Sequence, residues 1–199
     1  MDIKKALAVI CIAAGIVLAA IPLYLHFSGE KHADELIEEF EQEVKENDPS
    51  EEEASDQEEE TLPEGENVIG IIEIESIGIR YPVIEGTSGA VLNSGIGHLS
   101  DTAGIGEAGT CVLCGHNGSR HGTFFTPLNT VSLGDVVKLV DRSGEKHLYR
   151  IKSTKVIIPT DTSIKEDDGT EKLTLFTCAD RGTRRFVCFC EPVGENDDE

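Results

Sequence analysis

One cysteine in the sequence stands in surroundings that are typical of a nucleophile. The segment LTLFTC, residues 173–178, is an apolar, strand-like run that ends in Cys178, and Arg184 and Arg185 open the next such run. A thiol becomes a nucleophile when a neighbour favours the thiolate or manages protons, and imidazole is the usual partner. An arginine supplies hydrogen-bond donors to a tetrahedral oxyanion without losing its charge. These residue types together predict thiol-based acyl chemistry.

Among the histidines, His116 is best placed to be the proton-transfer partner. It follows CVLCG, residues 111–115, where an apolar run meets a glycine-rich loop. Loops at strand ends are where side chains from separate elements reach one another. The alternative is that Cys178 is a small core residue and His116 a loop histidine with satisfied hydrogen bonds, and the residues alone leave both interpretations open.

The elements that would position these side chains are short strands. From Val68 onward, alternating Ile- and Val-rich runs are separated by Gly, Asp, Asn and Ser, which predicts an all-β domain that forms a closed or nearly closed antiparallel barrel. Residues 134–159 indicate two strands joined by a Ser-Gly turn and then a third. Only SGAVLNSGIGH and TFFTPLN favour a helical turn or two.

The N-terminal segment predicts a membrane anchor. Residues 6–27 contain no Asp, Glu, Lys or Arg, and about 20 apolar residues suffice to cross a hydrocarbon core. A cleavable signal peptide is the alternative, although its apolar region is usually only about 7–15 residues long. Lys4 and Lys5 precede the run, which favours a cytoplasmic N-terminus with the rest of the chain outside.

An acidic segment follows the predicted anchor. Leu36, Ile37, Phe40 and Val44 form a narrow helical stripe, so we expect a helix to about Glu46. The formal net charge is -21, and residues 30–66 hold 18 acidic and only 2 basic residues. This segment is either a solvated spacer or an acidic docking tail. With no basic face, the chain is not expected to bind nucleic acid.

Five cysteines lie outside the predicted anchor, an odd number. A thiol is therefore left unpaired even if the others form two bridges. The four besides Cys178 allow a four-sulfur zinc site, a disulfide or simple packing: Cys111, Cys114, Cys188 and Cys190. Strand alternation sends Cys111 and Cys114 to opposite faces, which is awkward for a zinc site.

Several motifs, in order, resemble one known family. They are GIRYPVIEGTS, LNSGIGHLSDTAGIGEAGTCVLCGHNG, FFTPLNTVSLGDVVKL, YRI, TLFTC and RRFVCF. The set is similar to the sortases, membrane-anchored cysteine transpeptidases of Gram-positive bacteria, and covers nearly all of Val68 to Val193. A TLxTC strand end, an upstream Gly-His and an Arg before apolar residues occur in the family's order.

The resemblance implies a closed, antiparallel or mixed β-barrel of about eight strands with short helices, preceded by a transmembrane helix. It implies Cys178 as nucleophile, His116 as catalytic histidine and Arg185, rather than Arg184, as catalytic arginine. Thr177 either contacts substrate or holds the strand end. No cofactor and no metal are implied.

The resemblance also implies the reaction and its participants. Cys178 would attack an LPXTG-like sorting signal of a surface protein or pilin, and an amine such as a cell-wall precursor would take the acyl group, with slow hydrolysis as a side reaction. The expected divisions are a cytoplasmic N-terminus (1–5), a single-pass anchor (6–27), a helical then acidic stalk (28–66) and an extracytoplasmic catalytic domain (67–199).

Asn117 and the loop from Ile157 to Glu171 each allow more than one interpretation. Asn117 stands where some sortase classes have Arg, so the class is unassigned. The polar loop from Ile157 to Glu171 either selects substrate or is merely solvated. A hydrolase, a catalytically silent β-barrel interaction module and a zinc-binding module remain the alternatives.

Overall fold

Eight strands close into one barrel. The computed structural model describes residues 3–46, 67–118 and 121–194. The strands are β1 (Val68–Ile74), β2 (Ile79–Glu85), β3 (Ile96–His98), β4 (Thr110–Gly115), β5 (Val136–Asp141), β6 (Lys146–Ile157), β7 (Lys172–Ala179) and β8 (Arg184–Pro192). The predicted all-β barrel of about eight strands is confirmed.

The strand order brings distant parts of the chain together. Around the barrel it is β1-β2-β3-β4-β7-β8-β6-β5, and β5 pairs with β1 to close it. The β2–β3 and β4–β7 pairs are parallel, and the other pairs are antiparallel. Because β4 and β7 are parallel, their carboxyl ends lie side by side, and these are the ends from which His116 and Cys178 emerge.

Two short helical elements occur where the sequence predicts helical turns. Helix α2 spans Gly89–Ser94, and a 3₁₀ turn spans Thr126–Thr130. The third strand predicted for residues 134–159 was wrong, because β6 continues for 12 residues. Its pairing with β8 shifts between Ile151 and Ser153. A bulge thus accommodates the polar residues that interrupt the alternation.

The barrel interior is filled by alternate side chains of its strands. On β7 these are Leu173 and Leu175, and on β8 they are Cys188 and Cys190. Phe124, Phe125 and Tyr149 are the largest fully buried side chains and supply the aromatic volume. Residues between them in sequence therefore project from the outer face.

The chain begins with one long helix, α1 (Ile3–Glu46). Within the described residues it is the one helix that is long and apolar enough to cross a membrane, with a mean hydropathy of 1.9 over its most apolar stretch, none of which is buried in the structure. The anchor at residues 6–27 and the domain bounds drawn from it remain predictions.

The C-terminal part of α1 packs on the barrel. Leu36, Ile37 and Phe40 are buried in a second apolar cluster with residues of β1, β2 and α2: Val68, Ile71, Ile84 and Val91. The narrow apolar stripe of the sequence thus covers the outer surface of the barrel. The acidic linker, residues 47–66, lies outside the described residues.

Candidate active site

The candidate nucleophile and one arginine lie opposite each other on neighbouring strands. Cys178 on β7 pairs in register with Arg185 on β8. Directly opposed residues of an antiparallel pair project to the same face, with Cβ atoms about 4.5–5.5 Å apart. Leu173 and Leu175 face the interior, and Cys178 is an odd number of residues from each of them. Since side chains alternate along a strand, the Cys178 thiol and the Arg185 guanidinium project from the outer face. Cys178 is partly exposed there.

Arg184 is on the other face of β8. It pairs with Ala179, one position beyond Cys178, and its Nε lies 3.7 Å from Asp180 Oδ2. Both side chains of this ion pair are more than half exposed. The register therefore favours Arg185 over Arg184 as the partner of Cys178, as the sequence predicts.

The guanidinium of Arg185 is held by the turn that joins β7 to β8. Nη1 donates to the carbonyl oxygens of Gly182 and Arg184, each at 3.0 Å. Among the described residues, both hydrogen bonds of this side chain use Nη1. The Nε–H and Nη2–H groups thus have no hydrogen-bond partner among the described residues.

His116 emerges beside Cys178 because of the β4–β7 register. Gly115, the last residue of β4, pairs with Thr177 in the parallel ladder, so His116, which directly follows β4, lies level with Cys178 on β7. Gly115 itself permits this packing, since a Cβ atom there would lie 2.7 Å from the Ile96 side chain. In the Gly-His motif, Gly115 therefore makes a close contact with Ile96 inside the barrel, and His116 places its side chain on the outer face.

Asn117 adds a direct link between the two strand ends. Its Nδ2 donates to the Cys178 carbonyl oxygen at 2.8 Å. The sequence analysis noted only that Asn117 stands where some sortase classes have Arg. Its position next to His116 was the one indication that it could have a role in the site. The bond fixes the backbone of Cys178 relative to the loop that carries His116.

Thr177 is inside the barrel. It is 1% exposed, and its Oγ1 donates to the Gly115 carbonyl oxygen at 2.7 Å. From the sequence, Thr177 either contacts substrate or holds the strand end. The hydrogen bond to Gly115 is the contact expected of a residue that holds the strand end. Thr177 thereby locks β4 to β7 one residue before His116 and Cys178.

The surroundings of His116 favour its neutral form. Partial burial lowers the pKa of His116 below its usual 6.5, and the nearby charge of His121 lowers it further. Its ring centroid lies 6.4 Å from that of Phe124, and its carbonyl oxygen accepts a hydrogen bond from the Phe125 N–H at 3.1 Å. The histidine is therefore packed against the loop that follows it.

The remaining barrel cysteines are buried thiols. Burial raises the pKa of Cys111, Cys114 and Cys188 to about 12 and that of Cys190 well above its usual value. These thiols stay protonated at neutral pH and are poor nucleophiles.

The positions of these thiols do not suit a shared zinc site or a bridge. Cys111 faces the interior, whereas Cys114 is three residues further along β4 and faces outward. Cys111 and Cys190 both align with Leu173, on either side of β7. Two strand spacings, about 9.6 Å, separate them, which is beyond the Cα separation of a disulfide.

One other group has the composition of a metal site. Ligand atoms of Asp141, Glu145 and His147 lie within 4.8 Å of one another on the β5–β6 hairpin. Asp141 already accepts bonds from Ser143 N at 2.8 Å and His147 Nε2 at 2.9 Å. These bonds close the hairpin, and the group lies apart from the strand ends that carry Cys178 and His116.

Comparisons with known proteins agree with this geometry. The Sortase domain family model matches residues 72–193. Sortase D of Bacillus subtilis strain 168 is 36% identical over 117 residues, 58% of this chain and 57% of that protein. Sortase A of Bacillus anthracis is 30% identical over 129 residues, 64% of this chain and 60% of that protein. This chain thus spans less than two thirds of the length of these relatives.

A solved structure extends the similarity to most of the chain. A Clostridium perfringens Sortase D5 transpeptidase has a TM-score of 0.63 and 27% identity, over 85% of this chain and 100% of that one. The barrel, the level strand ends and the family match together show that the chain belongs to the sortase family.

Proposed function

We propose that the protein is a membrane-anchored cysteine transpeptidase that cleaves an LPXTG-like sorting signal and transfers the acyl fragment to an amine. The observation that carries this proposal is the register that sets Cys178 opposite Arg185 and level with His116 at the outer rim of the barrel. The similarity to a Sortase D5 transpeptidase supports the same reaction.

In the first half-reaction, the Cys178 thiolate attacks the scissile carbonyl carbon of the sorting signal. The carbonyl electron pair moves to oxygen, and Arg185 stabilises that oxyanion through Nε–H and Nη2–H. Collapse of the intermediate breaks the C–N bond, and the imidazolium of His116 donates its proton to the departing amine. The products are a thioester on Cys178, a free amine and neutral His116.

In the second half-reaction, an incoming amine attacks the thioester carbonyl. Neutral His116 takes a proton from the attacking nitrogen, and Arg185 again stabilises the oxyanion. Collapse breaks the C–S bond, which forms the new amide and returns the thiolate and the imidazolium. Water entering instead of the amine would give slow hydrolysis. The lowered pKa of His116 favours the neutral base that this step needs.

The loop between β6 and β7 is suited to form a wall of the substrate groove. The Thr110 hydroxyl on β4 donates to the Glu166 carbonyl oxygen at 2.8 Å, and Lys165 Nζ lies 2.6 Å from Asp101 Oδ2. These contacts fix the loop over the amino-terminal end of β4, on the outer face of the barrel. We assign it a part in reading the sorting signal.

The substrates and the location follow from the same proposal. Surface proteins or pilins that carry the signal would be the acyl donors, and a cell-wall precursor or pilin amine the acceptor. Helix α1 would cross the membrane once, with Lys4 and Lys5 on the cytoplasmic side and the barrel outside.

Product analysis with a peptide library tests this function. The full chain in detergent micelles is incubated with LPXTG-like peptides, with or without triglycine, beside Cys178→Ala. We expect amide products in the presence of triglycine, slower hydrolysis without it, and neither product from Cys178→Ala. Hydrolysis that triglycine leaves unchanged would instead indicate a hydrolase, and the absence of any product would contradict the proposal.

A further inference from the structure

A carboxylate on α1 reaches the loop that follows His116. Glu30 Oε1 accepts a hydrogen bond from the Thr123 N–H at 2.6 Å. Both Glu30 oxygens lie within hydrogen-bond distance of the Tyr81 hydroxyl on β2, at 2.8 and 2.9 Å. Tyr81 is 4% exposed, so the network is anchored in the barrel core. Glu30 joins three separate elements at one point.

The helix backbone also approaches this loop closely. A Cβ atom on Gly29 would lie 1.6 Å from the His121 carbonyl oxygen, so a residue with a side chain does not fit there. One turn further along α1, Ala33 is buried in the main core cluster together with Tyr81 and Phe124. Small residues on this face of α1 thus allow the contact through which Glu30 reaches Thr123.

Residues 123–125 connect the Glu30 carboxylate to His116 through hydrogen bonds and ring packing. Phe124 has a φ of +44°, which a non-glycine residue keeps only where its surroundings hold it. The N–H before it, on Thr123, is bound by Glu30, and the N–H after it, on Phe125, is bound by the His116 carbonyl oxygen. The Phe124 ring lies 5.0 Å from the Tyr81 ring and 6.4 Å from the imidazole.

We propose that Glu30 is a positioning residue for His116, because its carboxylate holds residues 121–125 in the conformation against which the imidazole packs. Glu30 touches no reacting atom and acts through Thr123 and Phe124. The role of this residue in turnover rests on the proposed transpeptidase function, whereas its effect on the loop does not. Helix α1 is then a part of the active-site scaffold as well as an anchor.

Three variants of the full chain in detergent micelles test the assignment by kinetics. Glu30→Ala removes the carboxylate, Glu30→Gln retains one acceptor oxygen, and Glu41→Ala is the matched control. Glu41 is also on α1 and pairs with Arg80 on β2, but the pair does not involve the loop. For Glu30→Ala we expect kcat to fall about tenfold with KM within about twofold, because His116 is displaced while the peptide groove is intact. Glu30→Gln should be intermediate and Glu41→Ala unchanged.

Two readouts on the same variants do not depend on turnover. Histidine side-chain NMR, assigned with His116→Asn, follows the titration of His116, and hydrogen exchange with mass spectrometry follows residues 121–125. In Glu30→Ala we expect faster exchange in this loop and a higher titration midpoint for His116, because a loosened loop reduces its burial. Loss of a negative charge alone would lower the midpoint, so the sign of the change separates the two effects.

Unchanged exchange and titration in Glu30→Ala would overturn the assignment, and so would equal changes in Glu41→Ala. If Glu30→Ala fails to fold, Glu30→Gln and Tyr81→Phe decide the matter: faster loop exchange in both supports the assignment, and wild-type exchange in both overturns it. If the wild-type chain forms no product with any peptide, the proposed function fails, and NMR and exchange still decide the role of Glu30.

Discussion

Replacing the two neighbouring arginines separately gives the sharpest contrast that the strand register predicts. Arg185 is opposite Cys178, and its Nε–H and Nη2–H make no hydrogen bond to a described residue, whereas Arg184 is opposite Ala179. Removal of an oxyanion donor typically costs about 10²–10³ in rate, or about 2.7–4 kcal/mol. We therefore expect Arg185→Ala to slow acylation of Cys178 by roughly that factor.

Arg184→Ala is the matched control, with the same change one residue away. Its ion pair with Asp180 spans 3.7 Å with both side chains more than half exposed, and such pairs contribute about 0–1 kcal/mol to stability. Acylation by this variant should stay within about twofold of wild type. Arg185→Lys should recover only part of the rate, since lysine keeps the charge but loses the planar fork.

Single-turnover acylation measured by intact mass is the assay. The fraction of protein that carries the thioester adduct is measured as a function of time with peptide in excess and no amine added. This separates the first half-reaction from transfer to the amine. Thermal unfolding of each variant is followed alongside, so that rates refer to folded protein. A large loss in Arg184→Ala with a near wild-type rate in Arg185→Ala would refute the use of register to assign the oxyanion donor.

Three further predictions concern the strand ends and the histidine. Thr177→Val should lower the free energy of unfolding by about 1–3 kcal/mol in denaturant titrations, because the buried Gly115 carbonyl oxygen loses its donor; an unchanged midpoint would contradict this. Asn117→Ala should slow acylation about twofold to tenfold through loss of the bond to the Cys178 carbonyl, and a wild-type rate would show that this bond does not position Cys178. Since the pKa of His116 is lowered below 6.5 in the folded state, the unfolded chain binds more protons as pH falls through 6.5, so the free energy of unfolding should fall there. His116→Asn should flatten that dependence, and an equal slope in both proteins would contradict it.

The sequence contained enough to predict the fold and the candidate trio. Short alternating runs and scarce helical signals indicated the barrel, and the order of the TLFTC, Gly-His and Arg motifs indicated the family. The resemblance to the sortases favoured Arg185 over Arg184, because Arg185 directly precedes the apolar run FVCF, and the β7–β8 register agrees with that choice. The alternating runs and the motifs are local or depend only on spacing along the chain, so they can be predicted from the sequence.

The features that the sequence did not reveal depend on long-range pairing. The parallel β4–β7 pair that sets His116 level with Cys178 forms between strands separated by β5 and β6. Glu30 is one of 18 acidic residues in its segment, and nothing local distinguishes it from the others. The sequence predicted a third strand where β6 instead continues through a shift in its pairing with β8, and such a bulge has no unambiguous sequence signal.

The proposed reaction requires that the thioester form on Cys178 and on no other thiol. Cys114 is the informative control, because it faces outward from the neighbouring strand yet is buried, with a pKa raised to about 12. Intact mass followed by peptide mapping is measured on wild type, Cys114→Ala and Cys178→Ala after a short incubation with a cleavable LPXTG-like peptide. We expect an adduct with the mass of the N-terminal peptide fragment on Cys178 in the first two proteins and none in the third. An adduct that survives in Cys178→Ala, or one that is lost in Cys114→Ala while the protein stays folded, would contradict it.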